Sequence, residues 1–212
     1  PGSTFRYGPA AYFAFGVLLD RKLAKSTEDP LAYLKRRIFD PIGLEVGAWM
    51  RDAAGHPTLP HGAALTARAW ARFGEFVRAG GTAAGKRVLA QELLDRCFAS
   101  SAANPAYGLT WWLPGRGGVT PGGRPFPAAP PSFPKDVFLA EGLGKQILLV
   151  CRSRGLVVVR QGTARRDWDD ARFQALVLGL GPVAAHRAAA EDEQRAGRGG
   201  AACDARAPGL QC

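Results

Sequence analysis

A few residues of this chain have the types and spacing to do chemistry. Tyr7, in the stretch TFRYGPAAY, carries a phenol that can pass a proton if its pKa leaves the free value near ~10. Two residues on stands Pro9, which offers no side-chain hydrogen bond. In EGLGKQ, residues 141–146, Gly142 and Gly144 would let backbone approach a ligand closely around Leu143. Trp111 and Trp112 are adjacent on an expected strand, so their rings face opposite sides. One belongs in a core, and the other can line a substrate cleft beside the next loop. On residue type alone the bland alternatives are the preferred readings. Tyr7 reads as a ring packed under the first helix with its hydroxyl satisfied locally. EGLGKQ reads as a glycine-rich strand start or bulge.

Metal and thiol chemistry find no support. His56, His61 and His186 lack ligand spacing, and the first two fall in loops. Cys97, Cys151, Cys203 and Cys212 have no paired short spacing, so neither a zinc site nor a redox motif is indicated. The default for Cys97 and Cys151 is a buried, inert thiol.

The elements that must position these residues follow from periodicity and punctuation. Pro9 stands at a first helical position, and Ala11, Phe15, Leu18, Leu19 and Leu23 recur at helical spacing over 10–24. Asp29-Pro30 predicts a second helix, with Asp29 as its cap and Leu31, Leu34 and Ile38 inward, stopping before Pro41. Residues 47–63 read as a surface loop or short hairpin. Thr66 caps a third helix with Trp70, Phe73 and Val77 inward, ended by Gly80-Gly81. A short helix is expected from about 90 to 98, and a strand over 107–113. Residues 114–134 are too rich in Gly and Pro to be regular. DVFLAEG, KQILLVC and GLVVVRQG are strands, the last two forming a hairpin. Asp167 caps a closing helix through Leu180. Residues 183–212 hold almost no large apolar side chain and read as a disordered tail. Helices first and antiparallel strands after them indicate an α+β protein.

Composition narrows the function classes. Of the 212 residues, 47% are hydrophobic and 22% charged, which suits one core of ordinary size. No apolar run is long enough to span a membrane. The net charge of +10 is spread over scattered arginines such as Arg21, Arg36, Arg37, Arg68 and Arg72. No basic stripe interleaved with aromatics is present, so nucleic-acid binding is not expected.

Taken in order, PGSTFRYGPAAYFAFGVLLDRKL, YLKRRIFDPIGLE, GAALTARAWARFGEFVRAGG, GKRVLAQELL, YGLTWWL, AEGLGKQILLV and GLVVVRQG resemble the serine β-lactamase-related hydrolases. The resemblance is to the branch of class C β-lactamase-like esterases and 6-aminohexanoate-dimer hydrolases, and covers about residues 1–180. It implies a β-lactamase/transpeptidase-like fold: an antiparallel sheet flanked by helices, a helical region, and an active site between them. It implies acyl transfer from an ester, amide or β-lactam through a serine on a Ser-x-x-Lys helix. On this resemblance Tyr7 takes the place of the motif phenol, acting with the lysine as general base and then as acid. Gly142, Leu143 and Gly144 take the place of the strand motif, with the Leu143 N–H as an oxyanion donor. Pro9 stands where relatives carry Asn or Ser, which removes one substrate contact, and Lys145 stands where a small residue is common. Trp111 and Trp112 are candidates for the substrate cleft. The implied partner is a small acyl substrate, with no cofactor and no metal.

The family's Ser-x-x-Lys helix precedes its tyrosine motif, and Tyr7 has no such helix before it. The chain is therefore expected to be the C-terminal part of such a domain, residues 1–182, lacking the nucleophile and inactive alone. Marginal stability is expected with it. Two other functions compete with this one: a non-catalytic binder that keeps the cleft, and a basic interaction protein. The sequence assigns no compartment.

Overall fold

A computed structural model describes residues 3–26, 28–120, 123–126, 129–163 and 167–180. The chain divides into two compact units, Pro1–Trp168 and Asp169–Cys212. The expected boundary at 182 and the expected tail at 183–212 lie outside the described residues.

In the first unit, α1 spans Ala10–Leu23 and follows Pro9, which is the N-cap with φ −78° and ψ −12°. Its AAYFAFGVLL run is apolar all round, the pattern of a helix enclosed on every side. Yet α1 has no buried residue, and Phe15 and Leu18, expected inward, are more than half exposed. The reason lies in its neighbours among the described residues. Leu59 lies against Gly16, His61 packs edge-on to Phe13, and α2 touches one flank.

The second helix begins as its sequence predicts. Asp29 accepts a hydrogen bond from the Ala32 N–H at 2.7 Å, and Pro30 opens α2, Pro30–Leu34. It does not stop before Pro41. A π-helical turn, Lys35–Phe39, carries the chain into α3, Asp40–Ile42. The Asp40 N–H reaches back five residues to the Lys35 carbonyl. The wider turn directly before Pro41 leaves room for a ring that an α-turn would force against the fourth carbonyl back. Gly43, at φ 65°, then ends the helix.

Two short ladders come next. β1, Ala48–Trp49, pairs antiparallel with β2, Ala63–Ala64, around the expected surface loop. Thr66 accepts from the Ala69 N–H at 3.1 Å and starts α4, Ala67–Arg78. After Gly80-Gly81, both at positive φ, β3 (Thr82–Ala83) pairs with β4 (Lys86–Arg87), and α5 spans Gln91–Arg96.

The main sheet has the order β5-β6-β7, all antiparallel: β5 Val137–Gly142, β6 Gln146–Cys151 and β7 Leu156–Arg160. β6 is central and buried on both faces, so its continuous apolar run is what that place requires. Helix α4 lies on one face, where Gly74 brings backbone down onto Leu148, Val150 and Val157. The core joins α4, α5 and the sheet through Phe76, Val77, Leu94, Phe98, Phe138 and Leu148. Phe98 and Phe138 stack with centroids 3.8 Å apart, and the Arg152 guanidinium lies 5.1 Å and 5.5 Å from the two ring centres. Arg152 also bonds Asp95 at 2.6 Å, which ties α5 to the sheet.

Residues 107–113 are not the expected strand. They form two isolated bridges, Tyr107 to Trp112 and Trp112 to Leu139, with the second hydrogen-bonded both ways at 2.9 Å. Thr110, at φ 71°, turns the chain back between Tyr107 and Trp112 and prevents a longer ladder. Asn104 anchors the backbone on either side of this turn. Its amide donates to the Val119 carbonyl at 2.9 Å, and its Oδ1 accepts from the N–H groups of Val119 and Ala106.

The described part of the second unit is α6, Asp170–Val177, capped by Asp169, whose carboxylate accepts from the Arg172 N–H at 3.0 Å. The expected cap at Asp167 is thus two residues early, and the helix ends at Val177 rather than Leu180.

Candidate active site

Trp111 and Trp112 part as adjacent extended residues must. Trp111 is a core residue, stacked on Phe73 and edge-on to Phe98, so its assignment to a substrate cleft is corrected. Trp112 points the other way into an aromatic nest. Its ring lies 5.2 Å from Tyr7 and 4.6 Å from Tyr107. Tyr107 in turn meets Phe5 at 5.3 Å. The hydroxyls of Tyr12 and Tyr107 hydrogen-bond to each other, which fastens α1 to the Tyr107–Trp112 turn.

Tyr7, Tyr12 and Trp112 carry this nest to the wall of a cleft of about 490 Å³. Tyr7 and Pro9 line it from the chain entering α1, and Tyr12 and Phe15 from α1 itself. Trp49, Leu59 and His61 come from the β1–β2 region, Thr110 and Trp112 from the turn, and Ala140 with Glu141 from β5. The cleft thus lies between the helical side of the unit and an outer strand of the sheet. Its volume is in the ordinary range for small-molecule sites, about 300–1,000 Å³. Thr110 at its rim is a β-branched residue held at positive φ, a strain of order 1–3 kcal/mol of the kind that clusters at functional sites.

Three of the residues singled out in sequence, Tyr7, Pro9 and Trp112, share this cleft. The triplet Gly142, Leu143 and Gly144 does not line it. β5 ends at Gly142, and residues 143–145 form the hairpin tip, where Leu143 is 99% exposed. Lys145 and Gly144 both sit at positive φ in that tip, and Arg160 holds it by donating to the Lys145 carbonyl at 2.7 Å. The strand's contribution to the cleft is one step earlier, at Ala140–Glu141. Sequence reasoning missed Tyr12, Phe15, Trp49, Leu59, His61 and Glu141 as cleft residues. Of these, only Tyr12 and Phe15 stand close to the tyrosine motif in the chain.

The sequence does hold one literal Ser-x-x-Lys, Ser132-Phe133-Pro134-Lys135, although the chain is expected to lack the nucleophile. It is not a helical motif. The Phe133 N–H closes a turn on the Pro130 carbonyl at 2.9 Å, and Pro134 carries no N–H. The motif works because residues three apart share one face of a helix. Here both Ser132 and Lys135 are exposed, and neither lines the cleft.

Burial favours the neutral phenol at Tyr7 and at Tyr107. Burial raises the Tyr7 pKa above its ordinary 10.0; the neighbouring Tyr12 and Glu141 add to this, and a hydrogen bond with Trp112 partly offsets it. Burial and the bond to Tyr12 push Tyr107 up further still. A phenol whose folded pKa is raised supports the fold fully below the unfolded value near ~10, and that support is lost as pH climbs towards the folded value. The urea midpoint of the chain should therefore fall as pH rises above about 10. In Tyr107→Phe the fall should be shallower, with a loss at pH 7 of about 0.5–1.5 kcal/mol for the missing hydrogen bond. An unchanged alkaline slope would contradict the burial of that hydroxyl. Among the described residues no group of three or more His, Cys, Asp or Glu could hold a metal ion. No helix among them is long and apolar enough to cross a membrane.

Comparisons with known proteins give the fold. No protein-family model matches the chain, and no curated protein matches it. Among solved structures, a protein described as a 6-aminohexanoate-dimer hydrolase from Bacillus anthracis superposes with a TM-score of 0.61 at 18% identity, over 86% of this chain and 46% of its own. A protein described as a β-lactamase from Bacteroides dorei DSM 17855 gives 0.55 at 19% identity, over 79% of this chain and 53% of its own. The chain therefore has a β-lactamase-like fold, as the sequence resemblance implies, and spans about half the length of each neighbour.

Proposed function

We propose that this chain forms the tyrosine-bearing wall of the active-site cleft of a serine hydrolase. That hydrolase would work by acyl transfer on an ester, amide or β-lactam, and the 212 residues would not turn over such substrates unaided. The observation that carries the reading is the position of Tyr7. Its phenol stands in a cleft between the helical side and the sheet, with Pro9 and Trp112 beside it, which is where the resemblance puts the motif tyrosine.

The same site supports the lack of activity alone. A tyrosine serves as general base near neutral pH only if a cation lowers its pKa or shares its proton. Here burial, Tyr12 and Glu141 act in the opposite direction, and no Lys or Arg is found among the described residues lining the cleft. Tyr7 is therefore a neutral donor, ready to protonate a leaving group but not to take a proton from serine. The cation and the nucleophile would come together from a Ser-x-x-Lys helix on a segment outside these residues. The half-length coverage of both neighbours is in keeping with that.

Hydrolysis of p-nitrophenyl acetate and nitrocefin by the purified chain is expected to stay at the buffer rate. Ser132→Ala serves as the control for the exposed Ser-x-x-Lys. Turnover that vanishes in Tyr7→Phe or in Ser132→Ala would overturn the claim of inactivity.

A further inference from the structure

One edge of the main sheet is left open by the described residues of the first unit. Which backbone groups lie on it follows from the ladder. Leu139 of β5 exchanges both its hydrogen bonds with Trp112, so its N–H and carbonyl point away from β6. Its β6 partner, Leu149, therefore turns its own groups towards β7, where it faces Val158. The N–H and carbonyl groups of Val157 and Val159 are left pointing outward. In the three-stranded sheet no further strand meets β7, which packs chiefly on β6 and α4. All five residues of β7 are half-buried, whereas β6 is buried along nearly its whole length. Strand edges that face water are guarded by lysine, proline or a bulge. LVVV has none of these, and Arg160 at its end is turned onto the Gly144 and Lys145 carbonyls.

We infer that β7 is a self-association edge: a second copy of this chain pairs with it, antiparallel and two-fold about Val158, joining two three-stranded sheets into one. The register is self-complementary. Val157 meets the second copy's Val159, and Val159 its Val157, each pair exchanging both backbone hydrogen bonds. Arg160 falls beside Leu156 of the other copy rather than beside a like charge.

Helix α4 favours a second copy as the occupant. Gly74 sits against Leu148 of β6 and Val157 of β7 alike, so the helix axis runs between these strands. Across the two-fold the two α4 axes are then two strand spacings apart, about 9.6 Å. Packed helices stand about 8–10 Å apart, so the pairing that joins the sheets also seats one α4 on the other. Phe73 and Phe76 turn one flank of α4 to the core, with Phe73 stacked on Trp111 towards β5. The opposite flank holds Ala67, Arg68, Ala71, Glu75 and Arg78. Its alanines permit close approach, and Glu75 and Arg78 form a pair within the chain. The antiparallel crossing sets Arg68 of each helix towards the Glu75 end of the other. The footprint is about 18 Å along α4 and about 20 Å through the strand and helix layers, roughly 360 Å² per copy in projection. Side-chain relief brings the total to about 1,000 Å², the lower bound for a specific interface, so a micromolar dimer is expected. The cleft is bordered by β5, at the other side of the sheet, and stays open.

Sedimentation equilibrium of the purified chain should show monomer and dimer exchanging with a Kd of about 1–50 µM. Each copy carries a net charge of +10, so the dimer forms against repulsion that salt screens. The Kd should therefore fall at least about threefold between about 0.05 and about 0.5 M NaCl. Val158 lies on the two-fold, which makes it diagnostic. Val158→Lys and Val158→Glu should each be monomeric, because two like charges would stand about 5 Å apart. Mixed in equal amounts, the two variants should dimerise again, a rescue that a merely damaged fold would not give. Val159→Pro deletes an outward N–H, keeps the β6 ladder, and should also be monomeric.

A chain that stays monomeric to about 100 µM overturns the inference. So does a Lys–Glu mixture without rescue, or a dimer that persists in Val158→Lys and in Val159→Pro, which would put the interface elsewhere. A monomer whose Val157 and Val159 amides exchange slowly would give the edge to a segment of the same chain, and overturns it too. These outcomes leave the hydrolase reading untouched, since that reading rests on the cleft.

Discussion

Gly74→Val is expected to lower the melting temperature by roughly 6–12 °C, a large stability effect for a single substitution. The reasoning starts from the contact between α4 and the sheet. A Cβ built at Gly74 would stand 2.6 Å from Val157 Cγ1 and 2.7 Å from Leu148 Cδ1. Both distances are well inside van der Waals contact, and Leu148 is fully buried in the central strand. Two effects oppose each other in the smaller change, Gly74→Ala. A helix interior gains about 1 kcal/mol when Gly becomes Ala. Overpacking a filled core costs about 1–3 kcal/mol, and here the clash involves two side chains with little room to retreat. The loss should win, narrowly for alanine. Valine adds two methyl groups at the same point and stiffens χ1, so about 3 kcal/mol is expected, and a domain of this size loses about 2–4 °C per kcal/mol. Thermal unfolding followed by circular dichroism checks the order: wild type above Gly74→Ala above Gly74→Val. A valine variant as stable as wild type would mean that α4 does not sit this close to β6 and β7.

The second large effect is expected at Asn104, which is 1% exposed. Its side chain satisfies three backbone groups: the N–H and carbonyl of Val119 and the N–H of Ala106. Asn104→Ala leaves them without that partner. An unsatisfied buried polar group costs about 1–3 kcal/mol, and water entering the small void would recover part of it, so the net loss should be about 2–4 kcal/mol. The effect should be local as well as global. Val119 begins the bridge to Pro125, and Phe126 packs 5.8 Å from Trp112 on the cleft wall. Limited proteolysis should therefore cut the variant faster within 114–134, and Trp112 emission should shift to the red. Asn104→Asp separates shape from donors. It keeps the acceptor oxygen and replaces the amide donor with an oxygen facing the Val119 carbonyl. It should be destabilised as well, whereas a void alone would leave it near wild type.

The sequence was most legible where a single physical rule decides the outcome. The caps at Asp29 and Thr66 are local hydrogen bonds within three residues, and both form. The runs VFLA, QILLV and LVVV are apolar enough to admit only a buried sheet, and their pairing follows from the short turns between them. The opposite facing of Trp111 and Trp112 follows from the strand period. Legibility ended where one element answers to another far away in sequence. Pro41 looks like a stop, and nothing in KRRIFDPIG announces the π turn that lets the helix pass it. Thr110 looks like an ordinary strand residue, yet it turns the chain and breaks the ladder. Helix α1 has the composition of an enclosed helix, and its exposure depends on what surrounds it.

The candidate site divides along the same line. Tyr7, Pro9 and Trp112 were legible because they lie in recognisable motifs. Trp49, Leu59 and His61 enter the cleft from a loop read only as surface. The displaced triplet Gly142–Leu143–Gly144 shows the other limit. Its glycines mark a turn, and whether the turn itself or the strand before it faces a ligand is a matter of register that composition does not encode.

The most direct test of the central claim is the effect of Tyr7→Phe in a polypeptide that extends this chain upstream through an in-frame Ser-x-x-Lys helix. On the proposed function, that polypeptide should hydrolyse p-nitrophenyl acetate. Tyr7→Phe should lower kcat/KM about 100-fold or more with little change in melting temperature, since the residue is 42% exposed and its ring is retained. Wild-type kcat/KM in the phenylalanine variant would contradict the account, because the phenol in the cleft would then take no part in catalysis.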